Sequence, residues 1–408
     1  MACTSNSEKP FLVGSTGTKN AKNPSSIMKL PDSFFGDLSN EEFLAEYWQK
    51  KPLLVRGAWP DFETPLTPDA FMDLSEREDA FSRLIVEKPD EKNWEVSEGP
   101  FTRDLFDSMP QTHWTLLIQE VDRLVSDVRD MLGLVSFLPK WRLDDVMISY
   151  AANGGGVGAH IDNYDVFLLQ GYGERRWQIN TTPVVEENLV EDIDISILSD
   201  FVPDRDWVVQ PGDLVYLPPR VAHFGVALGP CMTYSIGCRA PSKQEILSAI
   251  LENVLIETDP DERYLDPDLA VSKEPGRLGA NSVAWVRSLI NDISKSEDAM
   301  TELVGSIISQ PRRFVDEDAL PEDSLKQALL SGSRARGASA SQLLYETSSS
   351  DKLWLFASGE AIQLDPIFLP LVKKLVEGPG LNSDDIAEDA EFAELMDELY
   401  AQGTLVVD

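Results

Sequence analysis

A His-x-Asp triplet and one distant histidine carry the strongest structural signal in this chain of 408 residues, which contains only three histidines. His160 and Asp162 follow a glycine-rich stretch at 153–158 and precede an apolar run at 166–169. Branched and aromatic residues bounded by glycines are typical of strands. Residues i and i+2 of a strand project from the same face, whereas in a helix they diverge by about 200°. We therefore expect His160 and Asp162 to lie on a strand and to point together.

The second histidine, His223, ends a segment with the pattern of a turn and a strand. Pro211-Gly212-Asp213 is typical of a tight turn, Leu214–Leu217 of a strand, and the following two prolines end that strand. Cys231–Gly237 predicts a further strand. Short consecutive strands separated by turns, without alternating helices, indicate an antiparallel barrel.

Two imidazoles and one carboxylate form a facial set that suits iron(II), because it leaves open positions for an oxo-acid and dioxygen. Zinc more often recruits cysteine or a third histidine, and the chain has no Cys-x-x-Cys. The alternative is that His160 and His223 are ordinary histidines. Their rarity and their shared strand-like surroundings favour a metal site formed by His160, Asp162 and His223. His113 lacks such surroundings, and we interpret it as structural.

Around these residues the chain resembles the JmjC-type iron(II)/2-oxoglutarate oxygenases, and within them the ribosomal oxygenases of the bacterial ribosomal protein arginine hydroxylase type. The resemblance runs from about residue 29 to the end and includes four further motifs. These are Phe43-Leu44-Ala45-Glu46-Tyr47-Trp48-Gln49-Lys50-Lys51-Pro52-Leu53, Ser82-Arg83-Leu84, Trp141-Arg142-Leu143-Asp144-Asp145 and Gly154-Gly155-Gly156-Val157-Gly158.

The resemblance implies that a basic residue on a neighbouring strand binds the distal carboxylate of 2-oxoglutarate. The matching position is Arg175, and the planar fork of an arginine can hold a carboxylate through two hydrogen bonds. Arg176 would face the other side of the strand. Ser149 is a second candidate for cosubstrate binding. Cys231 stands where a relative has a small polar residue, so that contact is in doubt.

The resemblance also implies an α+β fold: a double-stranded β-helix (the JmjC or cupin jelly roll), then a helical dimerisation region and a degenerate winged-helix domain. We expect a disordered tail over residues 1–28, with a transit peptide as the alternative. The oxygenase domain is expected over 29–240, the helical region over 241–310 and the winged helix over 311–408. Within the last of these, 331–350 is rich in Ser, Gly and Ala and predicts a loop or linker.

Local patterns predict three further features. Ser39-Asn40-Glu41-Glu42 and Ser242-Lys243-Gln244-Glu245 each have the pattern of a capping box that starts a helix. The apolar runs at 353–356 and 361–364, with a turn at Ser358-Gly359 between them, predict a hairpin.

The net charge of the chain restricts the classes of molecule that it can bind. There are 70 acidic and 35 basic residues, for a net charge of −35. Contact with phosphates requires basic patches, so we expect no direct binding of nucleic acid, whereas a basic protein would be attracted. The alternative is that the charge serves solubility alone. Three cysteines, and no apolar stretch near the roughly 20 residues of a membrane span, favour a cytoplasmic protein.

The function implied by the resemblance is hydroxylation of a large-subunit ribosomal protein by an iron(II)- and 2-oxoglutarate-dependent homodimer, on an arginine side chain or else on a histidine. Three alternatives stay open: a JmjC lysine demethylase, a non-catalytic acidic scaffold that binds basic proteins, and a cupin isomerase or dioxygenase that needs no oxo-acid.

Overall fold

The computed structural model describes residues 29–407, apart from 32, 91–92, 272, 275, 279, 293–295, 312–320, 322, 330–331, 339–340 and 348–350. The tail expected over 1–28 lies outside the described residues.

The first part of the chain builds mixed short elements that lead into the barrel. They are α1 (Asn40–Glu46), β1 (Leu53–Val55), α2 (Pro68–Leu74), β2 (Ser82–Lys88), β3 (Asn93–Glu98), α3 (Arg103–Ser108), β4 (Trp114–Ile118), α4 (Val121–Leu124) and α5 (Ser126–Asp130). The expected capping box starts α1, because the Ser39 hydroxyl accepts from the Glu42 N–H and the Glu42 carboxylate accepts from the Ser39 N–H.

The barrel strands follow in uninterrupted order. They are β5 (Val146–Ala151), β6 (Asp165–Tyr172), β7 (Arg175–Ile179), β8 (Arg205–Val209), β9 (Leu214–Leu217), β10 (His223–Ala227) and β11 (Cys231–Cys238). One sheet has eight strands in the order β1-β9-β6-β11-β5-β4-β2-β3, and the other has three in the order β10-β7-β8. All pairs are antiparallel, as expected for a double-stranded β-helix.

The central strands of the large sheet are buried on both faces. In β6, Phe167 and Leu169 point into a large core that also contains Phe43 of α1 and Tyr216 of β9. The alternating neighbour Leu168 points into a smaller core between the two sheets. The period of two therefore places one row of β6 against the N-terminal helices and the other row inside the β-helix, where the site lies.

A helical region follows the β-helix. It consists of α6 (Lys243–Glu257), α7 (Ala280–Asp292) and α8 (Glu297–Ile308). A capping box formed by Ser242 and Glu245 starts α6, as the sequence predicts. None of the described helices is both long enough and apolar enough to cross a membrane.

The last part of the chain combines short helices with two small sheets. Its elements are α9 (Leu325–Ala328), β12 (Ala335–Gly337), β13 (Leu343–Thr347), β14 (Leu353–Ala357), β15 (Glu360–Leu364), α10 (Leu369–Val376), α11 (Ser383–Ala387), α12 (Ala390–Ala401) and β16 (Leu405–Val407). The expected hairpin is present as β14 and β15. The expectation of a loop over 331–350 is wrong in part, because β12 pairs with the terminal strand β16 and β13 pairs with β14. For β12, pairing with the distant strand β16 outweighs the weak strand propensity of its Ala and Gly residues.

Candidate metal centre

The candidate metal centre lies where two extended segments meet. His223 is the first residue of β10, and His160 lies between the glycine run and β6. The expectation that His160 and Asp162 lie on a strand is wrong, since β6 begins only at Asp165 and His160 forms one isolated bridge, to His223. Arg220 on the facing segment has a φ of 66°, and this left-handed turn keeps a regular ladder from forming. The three side chains still converge, with ligand atoms all within 4.8 Å of one another.

A reciprocal pair of main-chain hydrogen bonds joins the two histidines. The His160 N–H donates to the His223 carbonyl at 3.0 Å, and the His223 N–H donates to the His160 carbonyl at 2.9 Å. The ring centroids are 4.2 Å apart. The indole of Trp177 packs 5.8 Å from the His223 ring, and a Cβ on Gly225 would come within 2.6 Å of that indole. A glycine at 225 therefore makes room for the side chain that supports His223.

Both imidazoles present the same nitrogen to the site. His160 Nδ1 lies 3.0 Å from the Gly158 carbonyl, and His223 Nδ1 lies 3.0 Å from the Val221 carbonyl. A carbonyl only accepts, so each Nδ1 carries the proton and each Nε2 keeps its lone pair. Gly158 has a φ of 77°, a conformation that favours glycine, and it turns the chain so that its carbonyl meets the ring.

Burial keeps His223 in the form that a metal requires. Only 3% of its surface is exposed, and burial, with a further contribution from the neighbouring His160, lowers the pKa of His223 to about 4. The Asp162 carboxylate lies 3.6 Å from His223 Nε2. Burial and the Asp162 charge in turn raise the pKa of the Tyr164 hydroxyl, with further contributions from Asp145 and Asp144. Tyr164 therefore stays protonated beside Asp162.

The donor set fits a divalent transition metal that retains open positions. The cluster offers two imidazole nitrogens and one carboxylate oxygen, and three protein ligands leave further coordination positions of such a metal open. Hydrogen bonds from the opposite ring nitrogens to backbone carbonyls are the usual way to fix metal-binding histidines. No further histidine, cysteine or carboxylate joins this cluster in the part of the chain that the structure describes.

Arg175, at the start of β7, is a buried cation without an anionic partner among the described residues. Only 5% of its surface is exposed, its Nη1 donates to the Ser149 hydroxyl at 3.2 Å, and its guanidinium lies 5.4 Å from the Trp177 ring centroid. Its Nε has no hydrogen-bond partner. A buried charge without a counter-ion is costly, and an anionic ligand would remove that cost.

The structure shows where the other residues singled out in the sequence lie. Arg176 points outwards and forms an ion pair with Asp206, so the two arginines do face opposite sides of β7. Ser149 lies on β5 with 3% of its surface exposed, beside Arg175. Cys231 is fully buried in a small apolar cluster with two alanines and does not line the cavity. His113 packs against Gly154, outside the cavity.

One cavity of about 1520 Å³ contains the candidate triad, Arg175 and Ser149. The sequence assigned no role to several carboxylates that also line it: Glu120, Asp144, Asp145, Glu245 and Glu252. Asp145 accepts from the Glu120 N–H at 2.9 Å, and burial, together with the nearby carboxylates, raises its pKa to about 7. The adjacent pair at 144–145 just before a strand was the available sequence signal.

Two facing antiparallel sheets that hold two imidazoles and a carboxylate in one cavity define a cupin-type metal-binding protein. The JmjC domain family matches residues 130–246, and the ROXA-like winged helix matches residues 288–406. The chain belongs to the ribosomal oxygenase family. It is 31% identical to a probable ribosomal oxygenase of Haemophilus influenzae, over 88% of this chain and 91% of that protein.

Other relatives agree with that assignment. The chain is 30% identical to the ribosomal protein uL16 3-hydroxylase of Escherichia coli, over 89% of this chain and 96% of that protein. The X-ray structure of E. coli YcfD, a protein 29% identical, superposes with a TM-score of 0.80 over 91% of this chain and 99% of that one. A YcfD complex with cobalt and 2-oxoglutarate gives a TM-score of 0.77 at 29% identity over the same shares. The predicted β-helix with a C-terminal winged helix is confirmed.

Proposed function

We propose that the chain is an iron(II)- and 2-oxoglutarate-dependent hydroxylase of a ribosomal protein. The observation that carries this proposal is Arg175, a buried guanidinium with an unpartnered Nε in the same cavity as three convergent metal ligands. A site that has a cationic group to bind one carboxylate, beside a metal with open coordination positions, suits an oxo-acid. The uL16 3-hydroxylase and the YcfD complex with cobalt and 2-oxoglutarate support the same assignment.

In this proposal His160, Asp162 and His223 hold iron(II), and Arg175 and Ser149 hold the distal carboxylate of 2-oxoglutarate. The chemistry supplied by these two groups is oxidative decarboxylation of the oxo-acid to succinate and carbon dioxide, with transfer of one oxygen atom of dioxygen to a C–H bond. The protein orients the ligands through the Nδ1 hydrogen bonds and excludes water around Trp177 and Arg175. Tyr164 supports the Asp162 carboxylate.

The activity can be tested directly with purified uL16, iron(II) and 2-oxoglutarate. We expect uL16 to gain one oxygen atom on a single residue and succinate to form in equal amount, and mass spectrometry of the digested protein locates the residue. Reactions without 2-oxoglutarate should leave uL16 unchanged. Loss of a methyl group from a methylated lysine peptide would instead favour a demethylase. Turnover without any oxo-acid would favour another cupin activity, and the absence of all turnover a scaffold.

We propose arginine as the modified side chain, with histidine as the second candidate. The cavity walls supply carboxylates, of which Asp145 is half-buried, and no cation contributes to its pKa shift. A guanidinium can form two parallel hydrogen bonds with a carboxylate, and it stays protonated at every relevant pH. An imidazole is neutral near pH 7 and gains less from this acidic surface.

The variant Asp145→Asn is expected to raise KM for uL16 about tenfold. This factor lies at the lower end of the range expected when a hydrogen bond to a charged group is lost. Because the pKa of Asp145 is about 7, its charge appears as pH rises, so KM of the unmodified chain should fall between about pH 6 and about pH 8. The Asn variant should lose that pH dependence. Asp61→Asn, at an exposed aspartate outside the cavity, is the control. Equal pH profiles for all three proteins would contradict this role.

We also propose that the partner is a basic large-subunit ribosomal protein and not a nucleic acid. The net charge of −35 repels phosphates and attracts a basic chain. Winged helices often bind DNA, but here acidic residues outnumber basic ones across 288–406. Because the proposed substrate is a ribosomal protein, we expect the reaction to take place where ribosomes are assembled.

Residues 241–310 are proposed as a dimerisation region, between an oxygenase domain over 29–240 and a winged helix over 311–408. Large apolar side chains are exposed on α6 and α7: Leu247, Leu251, Leu255, Ile256, Val283, Trp285, Val286, Leu289 and Ile290. None of the side chains described over 280–291 in α7 is buried. Helix α7 therefore packs into no core among the described residues, and a second copy of the chain offers a self-complementary apolar surface.

The double variant Leu251→Glu/Leu255→Glu is expected to convert a dimer into a monomer. Burial of one leucine contributes about 1.5–3 kcal/mol, so two charged replacements should weaken association more than about 100-fold. Light scattering coupled to size exclusion measures the mass. Val185→Glu, an isolated exposed residue elsewhere, is the control. A monomeric unmodified chain, or a double variant that stays dimeric, would contradict the assignment.

A further inference from the structure

Part of the cavity wall comes from residues that follow the β-helix in the chain. Gln310 follows α8 and Gln342 precedes β13, and both line the cavity together with Ile307 and Ile308. These residues lie within 288–406, the span that matches the winged helix, which begins inside the helical region over 241–310. This span is called the winged-helix region below. A single cavity therefore extends from the candidate metal centre to the winged-helix region.

Two contacts fix the winged-helix region beside a segment that lines the cavity. Lys140 Nζ donates to the carbonyl of Val376, the last residue of α10, and burial lowers the pKa of this lysine. Helix C-termini carry partial negative charge, so an ammonium group is favourable there. Gln342 Nε2 donates to the Leu143 carbonyl at 3.5 Å. Trp141, between these two contacts, lines the cavity.

Helix α6 forms a further part of this wall. Gln244, Ser248 and Glu252 recur every four residues and line the cavity, so they form one polar stripe. The helix also directs Ile246 and Ala249, both half-buried, to the cavity, whereas Leu247 and Leu251 are 59% and 55% exposed. Helix α6 therefore presents polar groups beside apolar ones to whatever occupies the cavity.

The size and chemistry of this outer region match a polypeptide. At about 1520 Å³ the cavity exceeds the roughly 300–1,000 Å³ of a small-molecule site. A glutamine side chain both donates and accepts, as the peptide group does, so Gln310 and Gln342 can pair with an extended main chain. Glu252 adds negative charge to the same wall, where Glu245 is paired with Arg239. The occupant indicated is a basic segment in extended form.

We propose that the winged-helix region and α6 form the outer half of the protein-substrate site, and that Gln310 and Gln342 bind the main chain of the basic segment that flanks the modified residue. This inference rests on the proposed hydroxylase function. It gives the winged helix a direct part in choosing the substrate.

The test compares Gln310→Ala and Gln342→Ala with the unmodified full-length chain. Loss of a neutral hydrogen bond should weaken uL16 binding about threefold to tenfold, seen as a higher Kd in calorimetry and a higher KM in turnover. The KM for 2-oxoglutarate should not change. The melting temperature of Gln310→Ala should not change either, whereas Gln342→Ala also loses its hydrogen bond to the Leu143 carbonyl and should melt at a slightly lower temperature. A short peptide with only the target residue and its immediate neighbours should bind all variants equally. Gln363→Ala, an exposed glutamine on β15 outside the cavity, is the matched control.

The outcomes separate this inference from the proposed function. If the unmodified chain binds uL16 and the glutamine variants weaken that binding, but no oxygen is transferred, the hydroxylase proposal fails and the outer site stands. If uL16 is hydroxylated and both variants keep the original Kd and KM, the outer site is wrong. Absence of uL16 binding also overturns it. Equal losses for uL16 and for the short peptide would indicate a general structural effect and would likewise overturn it.

Discussion

Replacement of His160, Asp162 or His223 by alanine is expected to abolish hydroxylation and to reduce metal affinity more than about 100-fold, since loss of even an outer partner of a metal ligand costs about 10- to 100-fold. Each residue supplies one of three ligand atoms that lie within 4.8 Å of one another. The measurements are metal content after dialysis and oxygen transfer to uL16. The variants should remain folded, because the main-chain bonds between His160 and His223 do not depend on the imidazoles.

The control for these variants is His113→Asn. His113 lies outside the cavity with a φ of 65°, a left-handed conformation that asparagine tolerates well. The His113→Asn variant should keep full metal content and full activity. If a triad variant kept both, or if His113→Asn lost metal as the triad variants do, the metal centre would be wrongly placed.

Replacement of Arg175 by methionine is expected to raise KM for 2-oxoglutarate about 10- to 150-fold, which corresponds to about 1.5–3 kcal/mol for hydrogen bonds to a charged group. Metal binding and uL16 affinity should change little. Without 2-oxoglutarate the variant should have a higher free energy of unfolding than the unmodified chain, because an unpaired buried charge has been removed. Addition of 2-oxoglutarate should stabilise the unmodified chain and have little effect on the variant.

Arg176→Met provides the matched control, because this neighbouring arginine is exposed and bound to Asp206. It should keep the original KM. Arg175→Lys retains the charge but loses the planar guanidinium, so its KM for 2-oxoglutarate should lie between those of Arg176→Met and Arg175→Met. An unchanged KM in Arg175→Met would remove Arg175 from the cosubstrate site, and an unchanged ligand-induced stabilisation would do so independently of catalysis.

Local patterns in the sequence predict much of the fold. The capping boxes at Ser39 and Ser242, the strand over Leu214–Leu217 and the hairpin of β14 and β15 each depend on neighbouring residues, and all are present. β12 was missed because its stability comes from pairing with a strand at the other end of the domain.

The candidate site was predictable to the extent that spacing along the chain determines it. His160 and Asp162 converge as expected, although through an isolated bridge rather than a strand. Asp145 and Gln342 reach the same cavity from positions almost 200 residues apart in sequence. That convergence depends on how the domains pack, which no local pattern encodes.

The reciprocal backbone bonds between His160 and His223 have a consequence for how the protein handles its metal. The spacing of the two imidazoles is set by main chain that is already part of the fold, so the coordination sphere is preorganised. Small zinc domains, in contrast, gain their folding energy from the metal and unfold under chelation. Here a chelator would strip the ion and leave an intact apoprotein, ready to reload. The fraction of protein that holds metal would then depend on the free metal concentration around the folded protein, and not on whether metal was present while the chain folded.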